Sequence, residues 1–292
     1  MNPKDTLFSI KRTINCGGRL IDFSVPRVMG ILNITPDSFY DGGKFLHEKE
    51  IVKRVSTMLS EGADIIDVGA CSTRPGAAFV SPEEEMERLK RALIPIRESF
   101  PDIILSVDTF RASVAEYAVV HLGTAIINDI SSGQLDERML PTAATLKVPF
   151  IMMHMQGIPQ TMQINPEYED ITRELLAYFA QRISLAQKTG ITDLIIDPGF
   201  GFGKTLRHNY LLLHELRLFA ALGHPIMVGL SRKSMIYKSL QVAPGEALNG
   251  TTVLNTLALN NGARLLRVHD VKEAVEAIRL FSLYQEATEI FG

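Results

Sequence analysis

Eight short apolar runs recur along the chain: Val28–Asn33, Asp64–Gly69, Ile103–Asp108, Ala125–Asp129, Pro149–His154, Asp193–Asp197, Pro225–Leu230 and Arg264–Val268. None alternates cleanly between apolar and polar, as expected of strands buried on both faces. Longer segments of helical period lie between them. In the segment from Ser81, the serine can cap, Pro82 suits the first helical position, and Glu83, Glu84 and Glu85 complement the positive end of the helix dipole. Met86, Leu89, Leu93, Ile96 and Phe100 then form one apolar stripe. Gly62, Gly123, Gly190, Gly223 and Gly262 are predicted helix stops, since glycine accepts the left-handed backbone there.

Strand–helix alternation predicts a parallel sheet with helical crossovers. Eight repeats favour closure into a (β/α)8 TIM barrel over an open doubly wound sheet. A chain of 292 residues suits one such barrel, at roughly 250 residues, plus extensions. Ahead of the first barrel strand, Thr13–Asn15 and Leu20–Phe23 flank Gly17–Gly18, which predicts a small β-hairpin with a primed turn, placed to close the bottom of the barrel. The expected division is an N-terminal extension over 1–26 and one barrel domain over 27–292, with no linker or low-complexity segment.

The 46% hydrophobic content fits a soluble protein with a large core; the net charge of −3 is mild, and no basic block or basic–aromatic stripe suggests nucleic acid or an anionic membrane. An anionic substrate must therefore be held by a few placed cations. Cys16 and Cys71 are the only cysteines and lack a metal-knuckle spacing. Met1–Leu20 lacks the apolar run of a signal peptide, and no stretch approaches the ~20 apolar residues of a membrane span. The expectation is a reducing, cytoplasmic setting with free thiols.

Barrels of this kind carry their active sites at the C-terminal ends of the strands. Those ends hold Asn33, Asp67, Asp108, Asn128, His154, Asp197, Ser231 and Arg267. Any one could be a helix cap, Asp108 before Thr109 for example, but eight together favour a polar site. The loops Asn33–Gly43 and Cys71–Gly76 read either as lids over an anion or as ordinary surface turns. Pro198–Thr205 invites a phosphate-loop reading that fails, because a Walker loop needs glycine where Pro198 stands. Its three alternating glycines are expected to let backbone approach a flat ligand, with Phe202 as an aromatic wall. A helix starting near Ser234 would aim free N–H groups into the mouth. Lys233 beside it is either a site cation or a solvated lysine. Arg267 and His269, two apart on a strand, point the same way and suit a phosphate; Asp270 is expected to cap the final helix.

At this point the chain resembles the dihydropteroate synthases, from about Ile14 to Leu280. The likeness rests on Val28–Phe39, reinforced by Ser72–Gly76, Ser106–Thr109, Ile127–Ile130, Met153–Gly157, Asp197–Lys204, Ser231–Ser234 and Arg267–Asp270, all in the family's order. One departure is Cys71, at a position often acidic in that family. The resemblance implies a homodimer, a magnesium requirement and a place in folate synthesis. It further implies condensation of a dihydropterin methyl diphosphate with p-aminobenzoate, and sulfonamides as mimics of the latter.

Carried over by position, the resemblance assigns the pterin to Asp197, Asn128, Asp108 and Lys233, with Met153, Gly229 and Val268 lining its slot. Arg267, His269 and Thr73 would take the diphosphate. Asn33 would hold Mg2+, with Asp37 joining through water. Phe39, Pro75 and Phe202 would sandwich p-aminobenzoate, Ser234 would take its carboxylate, and Arg74 would shape that pocket. Three rivals remain open: a pterin-binding methyltransferase sharing the Asp108, Asn128 and Asp197 pocket, a Schiff-base aldolase using Lys233, and a silent pterin-binding module.

Overall fold

The computed structural model describes residues 11–34, 44–71, 80–158, 161–162 and 164–290. A two-stranded antiparallel hairpin, β1 (Thr13–Cys16) and β2 (Arg19–Asp22), comes first. Gly17 and Gly18 turn between them at φ +61° and +92°, a two-residue turn that fits the right-handed twist of the strands. Eight parallel strands follow: β3 (Arg27–Asn33), β4 (Ile65–Gly69), β5 (Ile104–Asp108), β6 (Ile126–Asp129), β7 (Phe150–Met153), β8 (Leu194–Asp197), β9 (Met227–Val228) and β10 (Leu265–Val268). Their order is β8-β7-β6-β5-β4-β3-β10-β9, and a parallel bridge between Ile196 and Ile226 joins the two ends into a barrel.

Helices α1 (Lys44–Ser60), α2 (Pro82–Ser99), α3 (Ala112–Leu122), α4 (Met139–Leu146), α5 (Ile171–Thr189) and α6 (Leu206–His214) each follow one strand from β3 to β8. Two, α7 (Ser234–Leu240) and α8 (Leu248–Asn260), follow β9, and α9 (Val271–Ile290) follows β10. Helix α2 forms as its sequence dictates: the Ser81 side chain accepts from the Glu84 N–H at 3.2 Å, Pro82 opens the helix, and Leu89, Leu93 and Ile96 are buried. Glu85 departs from the expectation. It does not serve the exposed first turn but faces inward, fully buried, and pairs with Arg111. All five predicted glycine stops fall at positive φ.

Side chains on a strand alternate in direction, so each barrel strand divides into two sets. One set, including Val28, Leu32, Ile66, Val68, Leu105, Val107, Ile127, Met152, Ile196 and Val268, packs outward against the helices in the main core. The other starts at the bottom of the barrel with Met29, Ile65, Ile126, Ile151, Ile195, Met227 and Leu265, which pack together beneath Ile14, Cys16, Ile21 and Phe23 of the hairpin. The hairpin thus plugs the bottom. Among the described residues no helix is long and apolar enough to cross a membrane. Neither Cys16, which is buried, nor Cys71, which is half-buried, forms a disulfide.

Candidate active site

Two residues further up the same inward faces, the character of the barrel changes. The positions above Ile65, Ile126, Ile195 and Leu265 are Asp67, Asn128, Asp197 and Arg267. They meet across the interior. Arg267 donates from Nε to Asp67 Oδ2 at 2.7 Å and from its Nη2 to Asp108 Oδ2 at 2.7 Å. Asn128 Nδ2 donates to the same Asp67 oxygen at 3.0 Å. Asp67 is wholly buried, and its Oδ1 has no hydrogen-bond partner. One carboxylate on β4 therefore holds an amide on β6 and a guanidinium on β10. Asp108 is a member of this network and not a helix cap; the Asp136 carboxylate accepts the Ala112 N–H at 2.9 Å instead.

Charge is tuned by this enclosure. Burial pushes the Asp108 carboxyl up to about 7, against the pull of Arg267. Arg267 loses solvation, yet Asp67 and Asp108 hold it above the ordinary arginine value. Burial raises the Asp197 carboxyl, with Lys233 opposing, and lowers the Lys233 amine to about 8, with Asp197 opposing. Burial and then Arg267 bring His269 down to about 4, so its ring is neutral at pH 7.

Asp197 ends β8, 5% exposed, and its Oδ1 accepts the Gly199 N–H at 2.8 Å. Lys233, the residue before α7, donates to the Phe200 carbonyl and stands 4.8 Å from the centre of the Phe202 ring. Gly229 lies beside that lysine: a Cβ there would be 3.9 Å from its nitrogen, an ordinary contact. Ile130, Met153, Met155 and Met162 form one apolar wall, with Phe110 and Phe202 against it. Ser231 Oγ accepts the His269 N–H at 3.2 Å and lies 3.0 Å from His269 Nδ1. The hydroxyl has one proton to donate and can give it to Nδ1; in that tautomer the imidazole proton sits on Nε2. Ser234 begins α7, half-buried.

Four expectations need correction. Val268 does not line the slot: it has the opposite strand phase from Arg267 and is fully buried against the helices. His154 also leaves the mouth. It follows Met153, which faces in, and so turns outward to Tyr178, edge-to-face at 4.8 Å between ring centres. Asp270 gives both carboxylate oxygens to Arg232, at 2.8 and 2.9 Å, and so ties the β9 loop to the end of β10. The glycines of the Pro198–Thr205 run do not all make room for a ligand. A Cβ at Gly199 would lie 2.0 Å from the His154 carbonyl oxygen, and one at Gly203 would lie 2.7 Å from that of Gln156. The close approach at those two is to the loop after β7.

Thr73, Arg74, Pro75, Phe39 and Asp37 lie outside the described residues. Asn33 ends β3, exposed; a Cβ at Gly69 would be 3.5 Å from both Asn33 Oδ1 and Asp108 Oδ2, so the two oxygens flank one small space. Among the described residues no group of three or more His, Cys, Asp or Glu gathers as a metal centre. Asp67 is the site residue that position alone left without a role. Its signal was its phase, two residues above buried Ile65, shared with Asn128 and Asp197.

An eight-stranded barrel with a polar, mixed-charge mouth over an apolar wall has the make-up of a small-molecule site. Residues 29–269 match the pterin binding enzyme family, and the chain belongs to it. A dihydropteroate synthase of Escherichia coli is 46% identical over 274 residues, covering 93% of this chain and 96% of that protein. The structure of a Xanthomonas albilineans dihydropteroate synthase with 4-aminobenzoic acid matches at a TM-score of 0.87 and 38% identity, over 94% of this chain and 98% of that one. A Yersinia pestis dihydropteroate synthase with a sulfonamide drug matches at 0.85 and 41%, over 94% and 99%. Within the family the chain stands with the dihydropteroate synthases, which are transferases.

Proposed function

We propose that this chain joins (7,8-dihydropterin-6-yl)methyl diphosphate to p-aminobenzoate, giving 7,8-dihydropteroate and diphosphate. The observation that carries the reading is the convergence of Asp197, Asn128, Asp108, Lys233 and Arg267 on one slot walled by Met153 and Phe202. The pterin's amino-pyrimidinone edge presents two parallel N–H donors. The Asp197 carboxylate matches that pair. Asn128 and Asp108 take other polar edge atoms, and Lys233 donates to a ring acceptor. The ring lies against Met153 and beside Gly229.

The methylene–oxygen bond breaks with its electron pair going to diphosphate, and the pterin ring stabilises the cation left behind. Arg267 and the Nε2–H of neutral His269 then face growing negative charge, together with Thr73. The aniline nitrogen forms the new C–N bond, and its proton passes to diphosphate or water. No covalent nucleophile is needed. Phe202 flanks the p-aminobenzoate ring with Phe39 and Pro75, while Ser234 takes its carboxylate and Arg74 shapes that pocket. Sulfonamides would compete there.

Magnesium fits the donor set. Asn33 Oδ1 is a hard oxygen at the rim, facing the small space beside Gly69, which leaves room for water and diphosphate oxygens. When bound, the ion supplies Lewis-acid charge to the leaving group. Exposed Leu257 on α8 and Leu280, Leu283 and Tyr284 on α9 offer an apolar face for a homodimer. The two unbridged cysteines suit a reducing cytoplasm. The test is mass detection of dihydropteroate from the two substrates with Mg2+. Absence of product from folded protein at saturating substrate would overturn the reading.

A further inference from the structure

Lys204 closes the glycine-rich run after β8, yet it takes no part in the chemistry above. It is only 4% exposed. Its Nζ lies 2.9 Å from the Gly199 carbonyl oxygen, 3.0 Å from that of Phe202, 3.2 Å from that of His154 and 3.1 Å from His154 Nδ1. His154, pushed down to about 2 by burial and by Lys204, is neutral and offers Nδ1 as an acceptor. The three carbonyls can only accept, so the nitrogen serves them as a donor, although burial pushes the Lys204 amine well below the ordinary lysine value, with Asp197 opposing. A buried lysine nitrogen surrounded by carbonyls is costly to desolvate. What it holds explains its place.

The run from Gly199 to Gly203 is anchored at two further points: Phe200 is fully buried in the main core, and Asn209 Oδ1 accepts the Gly201 N–H at 2.7 Å. Its glycines bear no side chains that could pack, and their carbonyls point to side-chain donors: Gly199 and Phe202 to Lys204, Phe200 to Lys233, Gly203 to the Tyr168 hydroxyl at 2.8 Å. The same residues shape the slot from the other side. The Gly199 N–H orients Asp197 at 2.8 Å, and the Phe202 ring lies beneath Lys233. We propose that Lys204 is a positioning residue: by gathering the carbonyls of His154, Gly199 and Phe202 it sets the loop whose Gly199 N–H aims the Asp197 carboxylate at the ring. It acts through Asp197 and touches no substrate. The inference rests on the reading of Asp197 as the pterin's carboxylate.

The test measures affinity for 7,8-dihydropterin, with no diphosphate, in Lys204→Met, Asp197→Asn and the double variant, each checked for a cooperative melt. Lys204→Met keeps the chain length and loses every donor. It should weaken pterin about tenfold, as expected when a few hydrogen bonds are lost. On the Asp197→Asn background it should add less than about twofold, because the loop then holds an amide and the carboxylate it would aim at the pterin is already gone. Unchanged affinity in folded Lys204→Met, or the same loss on both backgrounds, would overturn the proposal, since a general packing defect is additive. If Lys204→Met does not fold, His154→Leu decides. It removes one acceptor, should cost about threefold, and must also lose its effect beside Asp197→Asn; no change in affinity sinks the idea. Full affinity in Asp197→Asn alone marks failure of the site reading itself.

Discussion

The bottom and the top of the barrel use the same inward strand positions for opposite ends. At the bottom, Met29, Ile65, Ile126, Ile151, Ile195, Met227 and Leu265 fill the interior under the hairpin. Two residues higher, the equivalent faces carry Asp67, Asn128, Asp197 and Arg267; Asp67 binds Asn128 and Arg267, Arg267 binds Asp108, and Asp197 accepts the Gly199 N–H. Asp67, Asn128 and Asp197 are buried almost as completely as the lower layer, so exposure does not by itself distinguish core from site. What differs is whether burial stabilises the group. Apolar side chains gain from leaving water, whereas the carboxylates lose solvation and recover it from neighbours held at fixed distances. The lower layer should carry stability and the upper layer recognition.

The largest expected effect tests the lower half of that contrast. Phe23 is 2% exposed and packs into the bottom cluster. Phe23→Ala should destabilise by about 3–5 kcal/mol by denaturant titration. The folded fraction should keep wild-type KM for both substrates. A changed KM at constant folded protein would show that the plug shapes the mouth.

Next, Asp197→Asn should cost on the order of 2–4 kcal/mol of pterin binding, because an amide donor meets a ligand donor. Stability should hold or rise. The carboxyl is raised by burial, and Asn can still accept the Gly199 N–H. Calorimetry showing intact pterin affinity in the folded variant would break the assignment.

His154 stands at the height of the mouth but on the outward face, so it should behave like neither layer. Its folded-state value of about 2 lies below the ordinary histidine value near 6.5. For a base lowered on folding, the unfolded chain binds the proton first. The stabilising difference is full above pH 6.5 and is lost as pH falls toward 2. Between pH 7 and 5 this amounts to about 2 kcal/mol. Wild type should lose that much more than His154→Leu over the same interval. Taking the difference between the two proteins removes the opposing contributions of Asp108 and Asp129, whose carboxyls burial raises to about 7 and about 6. Parallel pH curves would mean that His154 is not neutral in the fold.

Strand positions were legible because burial on both faces leaves continuous apolar runs; seven of the eight runs contain their strands, and the first falls one residue short at Arg27. The same continuity hides phase. With no alternation to read, His154 and Val268 looked as likely to face the mouth as Asp197 and Arg267. Pairing resolves it: Met153 sits opposite Asp197 in register, so both face in and His154 does not. Asp67 was visible as a polar strand end, but its partner Arg267 lies 200 residues away, beyond any local pattern. The glycine spacing after β8 correctly signalled close backbone approach. Whether the approach was to ligand or to the neighbouring loop depends on tertiary packing, which spacing does not encode.

The smallest effect separates height in the barrel from facing into it. Asp170 caps α5, which leads away from the upper rim after β7. Its side chain accepts the Arg173 N–H at 3.0 Å, while Glu174 reaches back to the Asp170 N–H at 3.0 Å, so two otherwise unpaired donors of the first turn are satisfied. Asp170 is also exposed and carries charge at the positive end of the helix dipole. Replacing it with alanine removes the accepting oxygen and leaves the Arg173 N–H to water, at a cost of about 1 kcal/mol. No chain of hydrogen bonds leads from Asp170 to Asp197, Lys233 or Arg267 among the described residues. Asp170→Ala should therefore lower the denaturation midpoint and leave kcat and KM for both substrates at wild-type values. If its KM for the pterin substrate moved with its stability, height at the rim would matter in itself, and the division by strand phase would have to give way to one by layer alone.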